Sequence, residues 1–153
     1  MKAAIIGAGN MGSAIARGMA KGSIVPATSI TVSNPSQGKL DRLKAAFPAL
    51  QVTRDNRAAA KGADMVILAV KPWLIEPVVK ELGIEADTLV VSVAAGISCG
   101  QLAGYTGNLG QPVFRLIPNT AISEMQSMTL ITGNNTTDEQ RKLMLDIFCE
   151  MGR

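Results

Sequence analysis

The sequence has no histidine and only two cysteines, Cys99 and Cys149, which stand far apart. Without histidine or C-x-x-C spacing a zinc site has almost no ligands, so no metal is expected, and the cysteines read as two free, buried thiols in a reducing cytoplasm. Aromatic residues make up 3% of the chain against 47% for the whole hydrophobic class. The core must therefore be built from Ala, Val, Ile, Leu and Met, a composition suited to buried parallel strands packed by small-residue helices. The same shortage counts against nucleic acid as a partner. Lys2, Arg17, Lys21, Lys39, Arg42 and Lys44 are scattered along the chain without aromatic neighbours on which bases could stack. A net charge of +3 still suits an anionic cofactor or substrate. Long apolar runs are missing too. Residues 65–70 and 89–97 fall well short of the roughly 20 residues needed to cross a bilayer, and glycines interrupt the N-terminal run before it could act as a signal peptide. No membrane partner is expected, and the reading is a soluble, cytoplasmic protein.

What is present is an alternation. Lys2 to Ile6 predicts a strand, and Met11 to Lys21 predicts a helix that stops at Gly22. Ile30 to Val32 is β-branched and runs into the turn Ser33-Asn34-Pro35-Ser36, after which Leu40, Leu43 and Phe47 keep helical spacing as far as Pro48. A brief strand at 51–53 precedes the capping pair Asp55-Asn56 and an alanine-rich helix over 57–61. Met65 to Val70 and Leu89 to Val93 read as strands buried on both faces, with a helix between them carried by Ile75, Val78, Val79 and Leu82. A short helix around 98–103, strands at 113–117 and 128–132, and a helix opened by the T-x-x-Q capping box Thr137 to Gln140 complete the chain. Strand-helix alternation implies right-handed crossovers, so the expected fold is doubly wound α/β with a mostly parallel, Rossmann-type sheet. Residues 1–153 are read as one dinucleotide-binding domain.

Between the first strand and first helix lies Gly7-Ala8-Gly9-Asn10-Met11-Gly12. G-x-G-x-x-G alone is a weak signal, but a strand before it, a helix after it and a second strand on schedule supply the required setting. Gly7 would make the tight turn, Gly9 would let backbone approach a pyrophosphate, and Gly12 would let the helix pack closely. A carboxylate commonly follows the second strand to bind the ribose of NADH; here Ser33 and Asn34 stand there instead. These neutral groups, followed by Ser36 and Lys39, do not repel a 2′-phosphate and could donate to it, so NADPH is the expected cofactor, with NADH as a possible second.

Gly7 to Gly12, Ala69-Val70-Lys71-Pro72, Ser92 to Ile97 with Ala94-Ala95-Gly96, and Arg115 to Thr120 together resemble the N-terminal domain of the pyrroline-5-carboxylate reductase family. The resemblance covers the whole chain. It implies reduction of 1-pyrroline-5-carboxylate to L-proline with NAD(P)H, the last step of proline synthesis. It also implies that Gly7 to Gly12 hold the pyrophosphate and that Ser33, Asn34, Pro35 and Asn56 surround the adenosine ribose and its phosphate. Ala69, Val70, Lys71, Pro72 and Ala94 to Gly96 would then approach the nicotinamide half, and Asn119 would line the pocket on the substrate side. Lys71 would place a cation beside a phosphate or a carboxylate; Trp73 is expected to pack its helix.

Family members continue into a mostly helical second domain that forms a homo-oligomer and supplies most of the pocket for the small-molecule substrate. The sequence ends before that domain, so no catalytic residue is assigned and the chain alone is expected to bind cofactor with little turnover. Two other readings share the glycine loop: the cofactor domain of a different small-substrate reductase, and a stand-alone NADPH-binding sensor or regulatory module.

Overall fold

The computed structural model describes residues 1–117 and 130–151. Strand β1 (Ala3–Ile6) leads into α1 (Asn10–Lys21), then β2 (Ile30–Ser33), α2 (Gln37–Ala46), β3 (Gln51–Thr53) and α3 (Asn56–Ala60). The second half contains β4 (Met65–Leu68), α4 (Pro72–Leu82), β5 (Leu89–Ser92), α5 (Cys99–Tyr105), β6 (Val113–Ile117), β7 (Leu130–Asn134) and α6 (Asp138–Glu150). The strands form one sheet in the order β3-β2-β1-β4-β5-β6-β7. Every neighbouring pair is parallel except β6 and β7, which are antiparallel. This is the expected Rossmann-type architecture with an antiparallel edge.

The apolar runs fill both faces of the sheet because successive side chains on a strand alternate sides. Ile5, Val32, Ile67, Val91 and Phe114 join Ile15 and Met19 of α1, Leu40 and Leu43 of α2, and Ile147 and Phe148 of α6 in one core. Ala4, Ile6, Val66, Leu68 and Val90 meet Ala59 of α3, Ile75 and Val79 of α4, and Leu102 of α5 in the other. Burial of each large aliphatic side chain contributes about 1.5–3 kcal/mol, and two such layers offset the conformational entropy of ordering the chain.

Four expectations are corrected. Strand β4 ends at Leu68, so Ala69 and Val70 belong to its exit; Ala69 keeps one ladder bond, donating N–H to the Ile6 carbonyl at 2.8 Å. Trp73 does not pack its helix but is 73% exposed. The buried face of α4 is set by Ile75 and Val79, and Trp73, two positions before Ile75, is turned about 200° away from it. Nor are the thiols both buried. Cys99 is half-buried and Cys149 exposed, the latter one position past the inward-facing Phe148. The sequence bracketed Asp55 and Asn56 as a capping pair, but Asp55 caps alone, accepting from the Arg57 N–H at 3.0 Å, while Asn56 is the first residue of α3.

Candidate functional site

Because β1 is flanked by β2 on one side and β4 on the other, the chain reverses its winding direction there, opening a crevice at the carboxyl ends of the strands. The glycine loop fills one side of it and the exit of β4 the other. Gly7 has φ +109°, and a Cβ there would lie 2.5 Å from the Ala69 carbonyl oxygen. Its N–H donates to the Ser33 carbonyl at 2.7 Å, tying the loop to β2. At Gly12 a Cβ would lie 1.9 Å from the Gly7 carbonyl oxygen, so only glycine lets α1 sit down on the loop. Gly9 is different: a Cβ there would meet nothing within 4 Å. Among the described residues no contact requires glycine at that position, whereas a ligand approaching the backbone would.

The start of α1 suits an anion. Its N-cap is Gly9, which brings no side-chain cap, and its first turn, with Asn10 exposed and Met11 half-buried, has no acidic residue. Unsatisfied N–H groups and the positive end of the helix dipole therefore face the crevice. Ser13 braces the loop from below by donating its hydroxyl to the Ala8 carbonyl at 2.9 Å.

At the end of β2 the structure brings the predicted residues together but gives them internal work. Ser33 is fully buried, and its hydroxyl donates to Asn56 Oδ1. Asn34 is 7% exposed, and its Oδ1 accepts the Ala8 N–H at 3.0 Å. Its own N–H donates to the Thr53 carbonyl at 3.2 Å. Both side chains lash β2 to the glycine loop and to α3. Pro35 is exposed, and its carbonyl accepts from Arg54 Nε at 3.2 Å.

Sequence reasoning placed Lys39 beyond the exit of β2 but missed the cationic cleft that it shares with Arg17 and Arg42. A cavity of about 490 Å³ opens beside the glycine loop, lined by Gly9, Asn10 and Ser13 on one side and by Arg17, Lys39 and Arg42 on the other. The signal was present in the spacing. Arg17 lies two turns after Asn10 on α1, while Lys39 and Arg42 are i, i+3 neighbours on α2.

On the other side of the crevice, Ala69 and Val70 are half-buried and Lys71 is exposed as the N-cap of α4, with Pro72 at the first helical position. Leu68 and Ser92, the last residues of β4 and β5, are paired, which sets the two exits side by side. Ala94 is buried and its N–H donates to Ser92 Oγ at 3.2 Å; Ala95 and Gly96 are exposed, Gly96 with φ +80°. Cys99 stands at the start of α5. Partial burial pushes its thiol pKa up, against the weaker pull of Arg115. Asn119 lies outside the described residues.

Residues 2–96 match the model of a protein family described as NADP oxidoreductase, coenzyme F420-dependent. Across 156 aligned residues the chain is 36% identical to the pyrroline-5-carboxylate reductase of Methanosarcina acetivorans, an alignment that covers 99% of this chain and 56% of that one. The solved pyrroline-5-carboxylate reductase of Coxiella burnetii is 33% identical with a TM-score of 0.86, again over 99% of this chain and 56% of the other. The Plasmodium falciparum pyrroline carboxylate reductase, solved with NADP bound, shares the fold at 24% identity and a TM-score of 0.87, over 99% and 55%. The chain spans about half the length of the curated relatives it matches. Since the matched stretch runs from β1 to the exit of β5, and so takes in both sides of the crevice, the chain belongs to the family of NADP oxidoreductases described as coenzyme F420-dependent.

Proposed function

We propose that the chain is the cofactor-binding part of a pyrroline-5-carboxylate reductase, binding NADPH in preference to NADH. The observation that carries this reading is Gly9, whose Cβ position is open space beside an uncapped helix start. A phosphate-bearing ligand supplies the partner that the described residues do not. The backbone of Gly7 to Gly12 receives the pyrophosphate, and the Ser33, Asn34 and Asn56 hydrogen bonds keep that loop in register with β2 and α3. Arg17, Lys39 and Arg42 beside the loop favour the more anionic of the two cofactors.

When bound, NADPH supplies the hydride that reduces the carbon-nitrogen double bond of a cyclic imine. Ala69 to Pro72 and Ala94 to Gly96 orient the nicotinamide half from two sides, and the Lys71 ammonium offers a cation to a phosphate or a substrate carboxylate. Asn119 belongs to the substrate side by family resemblance. Positioning of this kind carries most of the barrier reduction expected for such a transfer. The small-molecule substrate pocket and the homo-oligomer contacts are assigned to the portion of the relatives that this chain does not span, and the setting is cytoplasmic.

Calorimetric titration of residues 1–153 with NADPH and NADH tests the reading. One-site binding with NADPH the tighter ligand supports it; tighter NADH binding removes the preference, and no binding of either removes the assignment. Substantial proline formation by this chain alone would overturn the division of labour.

A further inference from the structure

At the end of the sheet away from the cofactor crevice, a second cavity of about 430 Å³ opens between α3 and α4, at the amino ends of β4 and β5. Its floor is apolar. Ala63 and Val66 are buried there, and Ala60, Leu82 and Ile84 pack against the second core layer. Its frame is braced by hydrogen bonds. Arg57 Nε donates to the Glu81 carbonyl at 2.8 Å, tying α3 to the end of α4. The fully buried Gln111 donates through Nε2 to the Glu85 carbonyl at 2.9 Å and to the Thr88 carbonyl at 2.6 Å, which fixes the turn between α4 and β5.

Charge is divided across this cavity. Arg57 and Lys61 stand on the α3 wall, whereas Glu81 and Glu85 stand on the wall formed by the end of α4 and the turn after it. Lys80 also belongs to the lining, but it is paired with Glu76 of its own helix at 2.8 Å. Among the described residues no ion pair joins Arg57 or Lys61 to Glu81 or Glu85. Side chains of both signs thus line one cavity without pairing with each other. A simple anion or cation would be drawn to one wall and repelled by the other. Two walls of opposite sign over an apolar floor instead complement a molecule that carries both charges, held apart, on a hydrocarbon body. The cleft beside the glycine loop lacks this division, for its described lining has three cations and no carboxylate.

We infer that the cavity between α3 and α4 is a second ligand site, for a zwitterionic amino acid with an apolar side chain. The ligand carboxylate meets Arg57 and Lys61, its ammonium meets Glu81 and Glu85, and its side chain lies over Ala63, Val66 and Leu82. The inference goes beyond the cofactor reading and does not depend on it, because no residue of this cavity belongs to the crevice. All four charged side chains are exposed, so each contact is screened and a dissociation constant of about 1 mM is expected.

The test is an amide NMR titration of residues 1–153 with L-leucine, isocaproate and isoamylammonium, the last two each keeping one of the two charges of leucine. Saturable shifts centred on residues 57–63 and 81–88 are expected with leucine, and both analogues should bind about fivefold or more weakly. Lys61→Gln and the double variant Glu81→Gln/Glu85→Gln should each weaken leucine binding about threefold or more, with NADPH affinity changed by less than about twofold. Raised salt should weaken leucine binding as well. Shifts centred elsewhere, no saturable shift, equal binding of the analogues, or unaltered leucine binding in both variants would overturn the inference while leaving the cofactor reading intact. Failure of the unsubstituted chain to bind NADPH would remove the cofactor reading and leave this site standing. The substituted side chains are exposed, and the comparison of leucine with its analogues needs no substitution at all.

Discussion

Among the described residues, the six α-helices begin in two ways. Helices α3, α5 and α6 start with a side chain that accepts from their own first turn: Asp55, Ser98 and Thr137, the last two in full capping boxes. Helices α1, α2 and α4 start at Gly9, Ser36 and Lys71 with no such bond. The division follows the sheet, for the bare helices are those that leave β1, β2 and β4, the strands at and beside the winding reversal. A cap is worth about 1 kcal/mol, so leaving three absent at one place costs stability where a ligand would restore it. The protein shows the same chemistry satisfied internally at the C-terminal end of α1. There the Glu150 carboxylate accepts from the Ser23 N–H at 2.9 Å, the Ser23 hydroxyl at 2.6 Å and the Ile24 N–H at 3.1 Å.

Supplying α1 with its own anion should break the comparison most sharply. Gly9→Asp should leave the melting temperature unchanged or raised, because nothing lies within 4 Å of a Cβ there, yet lower NADPH affinity by about a hundredfold through charge repulsion and occupied space, on the order of 2.7 kcal/mol. Calorimetry and thermal melts check both halves. Gly12→Ala should do the reverse. Its Cβ collides with the Gly7 carbonyl, so unfolding should become easier by about 1–3 kcal/mol, read from urea denaturation, before any ligand is added. Removing an existing cap is expected to cost less: Thr137→Ala should destabilise by about 1 kcal/mol with cofactor affinity unaltered.

The smallest effect concerns acid. Hydrogen bonds from Ser23, then Ile24, hold the Glu150 carboxyl below its usual range. A carboxyl whose pKa is lower folded than unfolded adds stability above the unfolded value and loses it as pH falls through the folded one. Glu150→Gln should therefore lower stability slightly at neutral pH and flatten its decline in acid, as followed by thermal melts across that range.

Patterns that are local in sequence were legible. The T-x-x-Q run at Thr137 predicted its capping box, and the same logic applied to Ser98 and Gln101 would have found a second one, since Ser98 Oγ accepts the Gln101 N–H at 3.1 Å. The pyrroline-5-carboxylate reductase resemblance, read from short motifs at strand exits, agrees with the relatives found across nearly the full chain. Orientation was harder. Trp73 and Cys149 lie one or two positions from inward-facing residues, and on a helix that is enough to turn a side chain to solvent. Basic residues that look scattered along the chain proved to be neighbours, because Arg17 and the pair Lys39 and Arg42 sit on adjacent helices packed against the same face.

By itself the sequence determined the winding of the sheet and the place of the three glycines, since apolar periodicity and turn chemistry act over a few residues. Only the tertiary structure decided which polar groups remain for a ligand. The Ala8 to Asn34 and Ser33 to Asn56 bonds span 26 and 23 residues, and they form only because parallel pairing puts the ends of β1, β2 and β3 in register. That register commits Ser33 and Asn34 to the fold and leaves the positive charge of the neighbouring cleft facing outward.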